Sequence, residues 1–73
     1  MNVLHNNLFN KMNSLKKSFT NSEKKVFEYI EKNPENIIHM NIRDISNEIK
    51  IGETTVIRFC KKIGFKGYHD FKI

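Results

Sequence analysis

The most constraining feature of this sequence is a pair of short amphipathic segments separated by only three residues. Their apolar residues recur at helical spacing, with Ile42, Ile45 and Ile49 in the first segment and Val56, Phe59, Cys60 and Ile63 in the second. Lys50-Ile51-Gly52 interrupts the pattern, Ile51 can serve as a buried anchor, and the small Ser46 lets two helices approach closely. Two short helices joined by such a tight turn are typical of a helix-turn-helix.

The segments before this pair are also predicted to be helical. Leu4 to Leu15 has an apolar stripe suited to core packing or to a dimer contact. Thr20-Asn21-Ser22-Glu23 reads as a capping box that begins a second helix, and Asn33-Pro34 ends it. Pro34 then suits the first position of a short helix capped by Asn33. The predicted core side of that short helix consists of Ile37, Ile38 and Met40.

The boundaries of the later helices are predicted from their capping residues. Asn41 can cap the first helix of the pair, with Asp44 in its first turn. The second helix is expected over residues 53–63, because Gly64 is a natural left-handed stop and Phe65 can make the apolar contact that accompanies it. Tyr68 begins a last helix. The fold class is therefore all-α: one domain over residues 1–73, a compact bundle of five or six helices that contains a homeodomain-like helix-turn-helix.

The charge of the chain is concentrated in its last third. The net charge is +5. Residues 50–73 contain six basic and two acidic residues and so account for +4. A basic surface of this kind suits a polyanion such as nucleic acid, although composition alone fits a merely soluble surface equally well.

The face of the 53–63 helix opposite its apolar stripe follows from the 3.6-residue period. It presents Thr54, Ile57, Arg58 and Lys61, with Glu53 at the exposed start of the helix. The Arg58 guanidinium can form paired hydrogen bonds with a guanine edge or a phosphate, and Thr54 can contact a base. The amide groups at the start of the helix attract phosphate. This face therefore predicts a recognition helix in a major groove.

The chain resembles the N-terminal domain of RpiR-type transcriptional regulators. The resemblance lies in the runs Ile42-Arg43-Asp44-Ile45-Ser46, Glu53 to Tyr68 and Asp70-Phe71-Lys72, and also in Thr20 to Val26 and Asn33-Pro34-Glu35. It implies a domain of five or six helices that binds double-stranded operator DNA, usually as a homodimer. It also implies a C-terminal domain, absent from this chain, that senses phosphorylated sugars, and thus a cytoplasmic regulator of sugar metabolism.

The sequence departs from the family pattern at two positions. Gly52 stands where a serine usually caps the recognition helix, and Lys50 stands where a small residue or glycine is common in the turn. The first departure removes one side-chain phosphate contact.

The candidate DNA-binding residues are Arg43, Glu53, Thr54, Thr55, Ile57, Arg58, Lys61, Lys62, Lys66 and Tyr68. Among these, Lys61, Lys62 and Lys66 are expected along the sugar-phosphate backbone, because they follow at the helix end and in the next turn.

The sequence also bears on three other functional classes. Catalysis is not expected, because the three histidines are far apart, Cys60 lies on the buried stripe and no metal or phosphate motif is present. We expect no cofactor, and the short apolar runs predict no membrane span. A helical protein-interaction or dimerisation module without specific DNA readout is the main alternative. RNA binding usually requires exposed aromatic residues, for which Tyr68 and His69 are the candidates.

Overall fold

The computed structural model describes residues 2–72, and the side chains of residues 8–72. This part of the chain contains six α-helices and no strand, which confirms the all-α prediction. A single 3-10 helix, Lys16–Ser18, follows the first α-helix. The helices are α1 (Asn2–Leu15), α2 (Asn21–Lys32), α3 (Pro34–Ile38), α4 (Ile42–Ile49), α5 (Glu53–Ile63) and α6 (Tyr68–Lys72).

Two helices begin with capping boxes, of which the sequence predicts the box at Thr20 in full and, at Asn41, the cap alone. At the start of α2, the Thr20 Oγ1 accepts from the Glu23 amide at 3.1 Å, and the Glu23 Oε1 accepts from the Thr20 amide at 2.9 Å. Asn41 and Asp44 form the same reciprocal pair at the start of α4, at 2.8 and 3.1 Å. Asn33 does occupy the position before α3, but its side chain does not cap that helix. Its amide instead donates to the Tyr29 carbonyl at 3.2 Å.

The hydrophobic core lies where α5 meets the other helices. Phe59 is fully buried at its centre, with its ring 5.1 Å from that of Phe19 and 6.3 Å from that of Phe71. The prediction for α3 was partly wrong. Ile37 is buried, whereas Ile38, the last residue of the helix, is 44% exposed. A five-residue helix makes little more than one turn, so only part of its surface can face the core.

Helix α1 contributes its apolar stripe to the same core. Met12 is fully buried, and Leu8 and Leu15 are partly buried and packed against the core cluster. The side chain of Leu4, predicted to belong to this stripe, lies outside the described residues. The stripe thus serves core packing in the described part of the helix.

The turns before and after α5 each contain one residue in the left-handed conformation. Lys50 ends α4 with φ 58°, and Gly64 ends α5 with φ 116°. At Gly64 the amides of Gly64 and Phe65 bond back to the carbonyls of Lys61 and Cys60, each at 3.0 Å, which is the Schellman arrangement expected for a glycine stop. At the other turn, the Ser46 hydroxyl donates to the Ile51 carbonyl and so secures the connection between α4 and α5.

Candidate nucleic-acid interface

The rotation of α5 about its own axis is fixed by four buried side chains. Val56, Phe59, Cys60 and Ile63 are at most 1% exposed, and α5 contacts α1, α2, α4 and α6. The helix spans Glu53–Ile63, which are the bounds that the sequence predicts. Because one face is buried along its whole length, the opposite face must point away from the domain.

That outward face carries the residues predicted for groove contact. Glu53, Thr54, Arg58 and Lys61 are exposed, and Thr55 and Ile57 are half-buried at its two borders. The side chains of Arg58 and Lys61 form no hydrogen bond or ion pair with other described residues. These two cations are therefore available to a ligand without any existing contact being broken.

The N-terminus of α5 lacks the side-chain cap that α2 and α4 possess. Gly52 precedes the helix, and its carbonyl accepts from the amides of Thr55 and Val56 at 3.0 and 3.3 Å. The amides of Glu53 and Thr54 have no partner within a helix at this position. They point outward at the end of the helix that carries the positive end of its dipole, where an anion is favoured.

An open concavity borders α5 on the side of α6. Ile57 and Lys61 form one wall of this concavity. Lys66, Gly67 and His69 form the opposite wall, and the Lys66 amide donates to the Asp70 Oδ2 at 2.9 Å. This bond fixes the turn that presents Lys66, whose ammonium group has no partner among the described residues. The structure thus brings Lys61 and Lys66 to one basic surface.

Lys62 lies on the other side of α5 and is already engaged within the domain. Its Nζ lies 2.8 Å from the Glu23 Oε1, donates to the Ser18 carbonyl at 2.9 Å, and lies 6.0 Å from the centre of the Phe19 ring. Neighbours on a helix point about 100° apart, so Lys61 and Lys62 point to different sides of α5. We therefore separate Lys62 from the predicted backbone-contacting lysines.

Burial of the Glu23 carboxyl would by itself raise its pKa. The hydrogen bonds from Lys62 and from the Thr20 amide, together with the charges of Lys62 and Arg58, outweigh burial and hold the pKa of Glu23 below its ordinary value of 4.5. The carboxylate is therefore the favoured form of a side chain that is only 5% exposed. The sequence does not predict the contact between Glu23 and Lys62, because the two residues are 39 positions apart.

Tyr68 also has a structural position. It is 6% exposed, and its hydroxyl donates to the Met40 carbonyl at 2.8 Å. Burial is the first cause, ahead of nearby ionisable groups, that raises the pKa of Tyr68 to about 12. The Lys72 Nζ lies 5.1 Å from the ring centre and bonds to the same carbonyl at 2.8 Å. This side chain has little surface for a ligand, so we leave it out of the proposed interface.

The remaining candidate chemistry is limited. Arg43 is exposed in the first turn of α4. Cys60 is buried, which raises the pKa of its thiol to about 12 and disfavours the reactive thiolate. The described residues hold no cluster of His, Cys, Asp or Glu suited to a metal ion. They also include no helix that is long and apolar enough to cross a membrane.

The match to a family model decides the identity of this domain. The model described as the helix-turn-helix domain of the rpiR family covers residues 6–73. The chain belongs to this family. The resemblance in the sequence is thus confirmed over nearly the whole chain, and the exposed face of α5 is the outer face of the second helix of a family helix-turn-helix.

Three relatives show what kind of protein carries such a domain. The chain is 40% identical, over 92% of its length, to an uncharacterized HTH-type transcriptional regulator of Haemophilus influenzae. It is 48% identical over 74% of its length to one of Clostridium perfringens, and 37% identical over 92% to the regulator HexR of Escherichia coli. It spans only 23%, 19% and 23% of these relatives. In these three relatives, a domain similar to this chain is one part of a longer transcriptional regulator.

Proposed function

We propose that this domain binds operator DNA sequence-specifically, with α5 in the major groove. The observation that carries the proposal is the unpartnered outward face of α5, where Thr54, Arg58 and Lys61 lie opposite a fully buried stripe. An α-helix fits the major groove, where each base pair presents a distinct pattern of donors and acceptors. The free amides of Glu53 and Thr54 add a phosphate-binding end to the same helix.

The proposed roles follow from side-chain chemistry. Arg58 and Thr54 read base edges, and Glu53 can accept from a cytosine amino group. Ile57 supplies an apolar contact for a thymine methyl group. Lys61 and Lys66 hold the phosphates of one strand, and the tail of α5 and the turn at Gly67 set their spacing. The list is completed by Arg43 and Thr55, which we assign to phosphate contacts beside the groove.

The whole regulator requires parts that this chain does not supply. We infer that it pairs as a homodimer, because helix-turn-helix proteins usually read two half-sites about one DNA turn apart. A phosphorylated sugar as effector follows from the resemblance to RpiR-type regulators, and it would bind outside residues 1–73. No catalytic role is assigned to this domain, since the relatives named above are transcriptional regulators.

The test is a salt titration of this chain with a fluorescent duplex of random sequence. Each phosphate contact contributes about −0.9 to the slope of log K against log salt, so roughly three to five contacts predict a slope of about −3 to −5. Lys66→Ala is expected to make the slope about one unit less negative. The matched control is Lys32→Ala, which removes a charge that is also exposed, from the end of α2, and which is expected to leave the slope unchanged.

Three outcomes would contradict the proposal. A slope near zero for the unmodified chain would favour the alternative, a helical protein-interaction or dimerisation module. Equal effects of Lys66→Ala and Lys32→Ala would show that binding depends on net charge and not on the concavity beside α5. Tighter binding to single strands than to duplex would favour the RNA-binding alternative.

A further inference from the structure

The N-terminus of α2 is completed by a side chain from the recognition helix. The Glu23 Oε1 accepts from the Thr20 amide at 2.9 Å and from the Lys62 Nζ at 2.8 Å. Lys62 also donates to the Ser18 carbonyl at 2.9 Å. One ammonium group on α5 therefore holds both the capping box of α2 and the end of the preceding 3-10 helix.

This arrangement exceeds what a capping box requires. A glutamate at the third position of a helix normally closes the box from an exposed site, and glutamine performs the same task without charge. Here the carboxylate is buried, since Glu23 is only 5% exposed. Burial of a charge is costly unless a partner neutralises it. Lys62 is the ion-pair partner that the described residues provide.

The pair therefore depends on how α5 is placed. The Lys62 ammonium reaches Glu23 at 2.8 Å and Ser18 at 2.9 Å, and these two bonds restrict the range of rotations and heights that α5 can adopt relative to α2. Arg58 precedes Lys62 by four residues and so lies one turn away along the same edge of the helix. A rotation of α5 that separates Lys62 from Glu23 would also move Arg58 relative to the groove.

We propose that the Glu23–Lys62 ion pair is a positioning device that narrows the orientation, already set by the buried stripe of α5, in which the helix presents Arg58 to DNA. The proposal rests on the proposed function, and it gives Lys62 a role different from that of the neighbouring Lys61. Lys61 holds a phosphate, and Lys62 never contacts DNA.

Three substitutions separate these roles. Glu23→Gln removes the charge and keeps the capping box, because glutamine can accept from the Thr20 amide. Lys62→Met keeps an apolar stem against Phe19 and removes the ammonium group. Lys61→Met is the matched control, because it removes a neighbouring cation that has no partner within the described residues.

The probes are a duplex enriched from a random-sequence library by the unmodified chain, and a shuffled duplex of the same composition. Lys62→Met and Glu23→Gln should each weaken binding to the enriched duplex about two- to thirtyfold, the range for residues that act on a site through others. Binding to the shuffled duplex and the salt slope should stay unchanged. Lys61→Met should weaken both duplexes and reduce the slope by about one unit.

Two further measurements distinguish positioning from a general loss of folding. The double variant Glu23→Gln/Lys62→Met should bind the enriched duplex no more weakly than either single variant, because both remove the same pair. Lys62→Arg, which keeps a cation within reach of Glu23, should discriminate between the duplexes as the unmodified chain does. Circular dichroism confirms that every variant is folded under the binding conditions.

The possible failures are distinguishable. A Lys62→Met chain with a reduced salt slope would make Lys62 a direct phosphate contact and overturn the inference alone. A Lys62→Met chain that discriminates between the duplexes as well as the unmodified chain would show that the pair only stabilises the fold. An unmodified chain that binds neither duplex would contradict the proposed function, and this inference with it.

Discussion

The two sides of the recognition helix use the same kind of residue in opposite ways. On the closed side, defined by Lys62, Glu23 and Ser18, the lysine neutralises a buried carboxylate and joins α5 to α2. On the open side, defined by Ile57, Lys61 and the facing turn at Lys66, the ammonium groups have no partner among the described residues. Adjacent lysines in one helix thus differ in whether their charge is already used.

Because of this difference, the net charge overestimates the number of cations that are available to DNA. Residues 50–73 carry six basic residues. Two of them, Lys62 and Lys72, donate to acceptors within the domain, whereas the side-chain donors of the other four are unused in the described part of the chain: Lys50, Arg58, Lys61 and Lys66. The number of cations available to DNA is therefore smaller than the charge count, and Lys61 and Lys66 are the two that lie on the open side.

The largest effect on stability is expected from truncating Phe59, the core residue of α5 between its closed and open sides. Phe59 is fully buried, and its truncation in Phe59→Ala should lower the free energy of unfolding by about 3–5 kcal/mol. Urea denaturation followed by circular dichroism measures this loss. Ile38→Ala is the control, because Ile38 is 44% exposed and its truncation should cost no more than about 0.5 kcal/mol. Similar costs at the two positions would contradict the assigned core.

The next largest effect is expected on DNA binding, from a substitution on the outward face of α5 between the two sides. Arg58→Ala should weaken binding to the enriched duplex by about 1–3 kcal/mol and narrow the gap between the enriched and shuffled duplexes. The reason is that base contacts specify a sequence, whereas phosphate contacts position the protein. Fluorescence anisotropy with both duplexes measures this gap. Equal weakening on both would make Arg58 a phosphate contact and move the readout to Glu53, Thr54 or Ile57.

The closed side predicts a dependence of stability on pH. Because the folded-state pKa of Glu23 is lowered from 4.5, its contribution is fully present above that value and is lost as pH falls through the folded-state pKa. Glu23→Gln should cost about 1 kcal/mol near pH 7, a modest value because Lys62 is partly exposed. The cost should shrink as pH falls below 4.5, because the unfolded chain takes up a proton at Glu23 first, and it should vanish once pH is below the folded-state pKa and the folded chain is protonated there as well.

Denaturation midpoints of both chains between pH 3 and pH 7 measure this convergence. Lys62 and Arg58, the cations that act on Glu23, remain protonated over that whole interval and so do not contribute to the change. A constant difference between the chains across the interval would mean that the charge of Glu23 does not contribute to stability.

Much of this architecture could be predicted from the sequence, because its determinants are local. The capping boxes at Thr20 and Asn41 and the glycine stop at Gly64 each involve residues within five positions of one another. The apolar spacing along α5 fixed its buried face in the same way. The outward face of α5 followed from that spacing, and its exposure in the structure agrees for Thr54 and Arg58.

The features that the sequence did not reveal depend on tertiary contacts. The Glu23–Lys62 pair joins residues 39 positions apart, and the Tyr68 hydroxyl reaches a carbonyl 28 positions away. Helical periodicity reports which residues share a face, but not which neighbouring helix covers that face. Lys50 adopts φ 58° without being a glycine, because the turn geometry between α4 and α5 requires a left-handed residue at that position.

The smallest effect is expected at the N-terminus of α5, between the closed and the open sides. Gly52 provides no side-chain cap, and a Cβ placed there would meet no atom within 4 Å. Gly52→Ser can therefore accept from the amide of Thr54 or Thr55 and should raise the free energy of unfolding by a few tenths of a kcal/mol. Gly64→Ser is the opposing control, because it forces φ 116° on a residue whose Cβ would lie 2.8 Å from the Lys11 Nζ. Thermal unfolding should rank the chains as Gly52→Ser, unmodified and Gly64→Ser. A destabilised Gly52→Ser chain would show that the serine cannot cap, and that the free amides of α5 cannot be reached by a hydroxyl at this position.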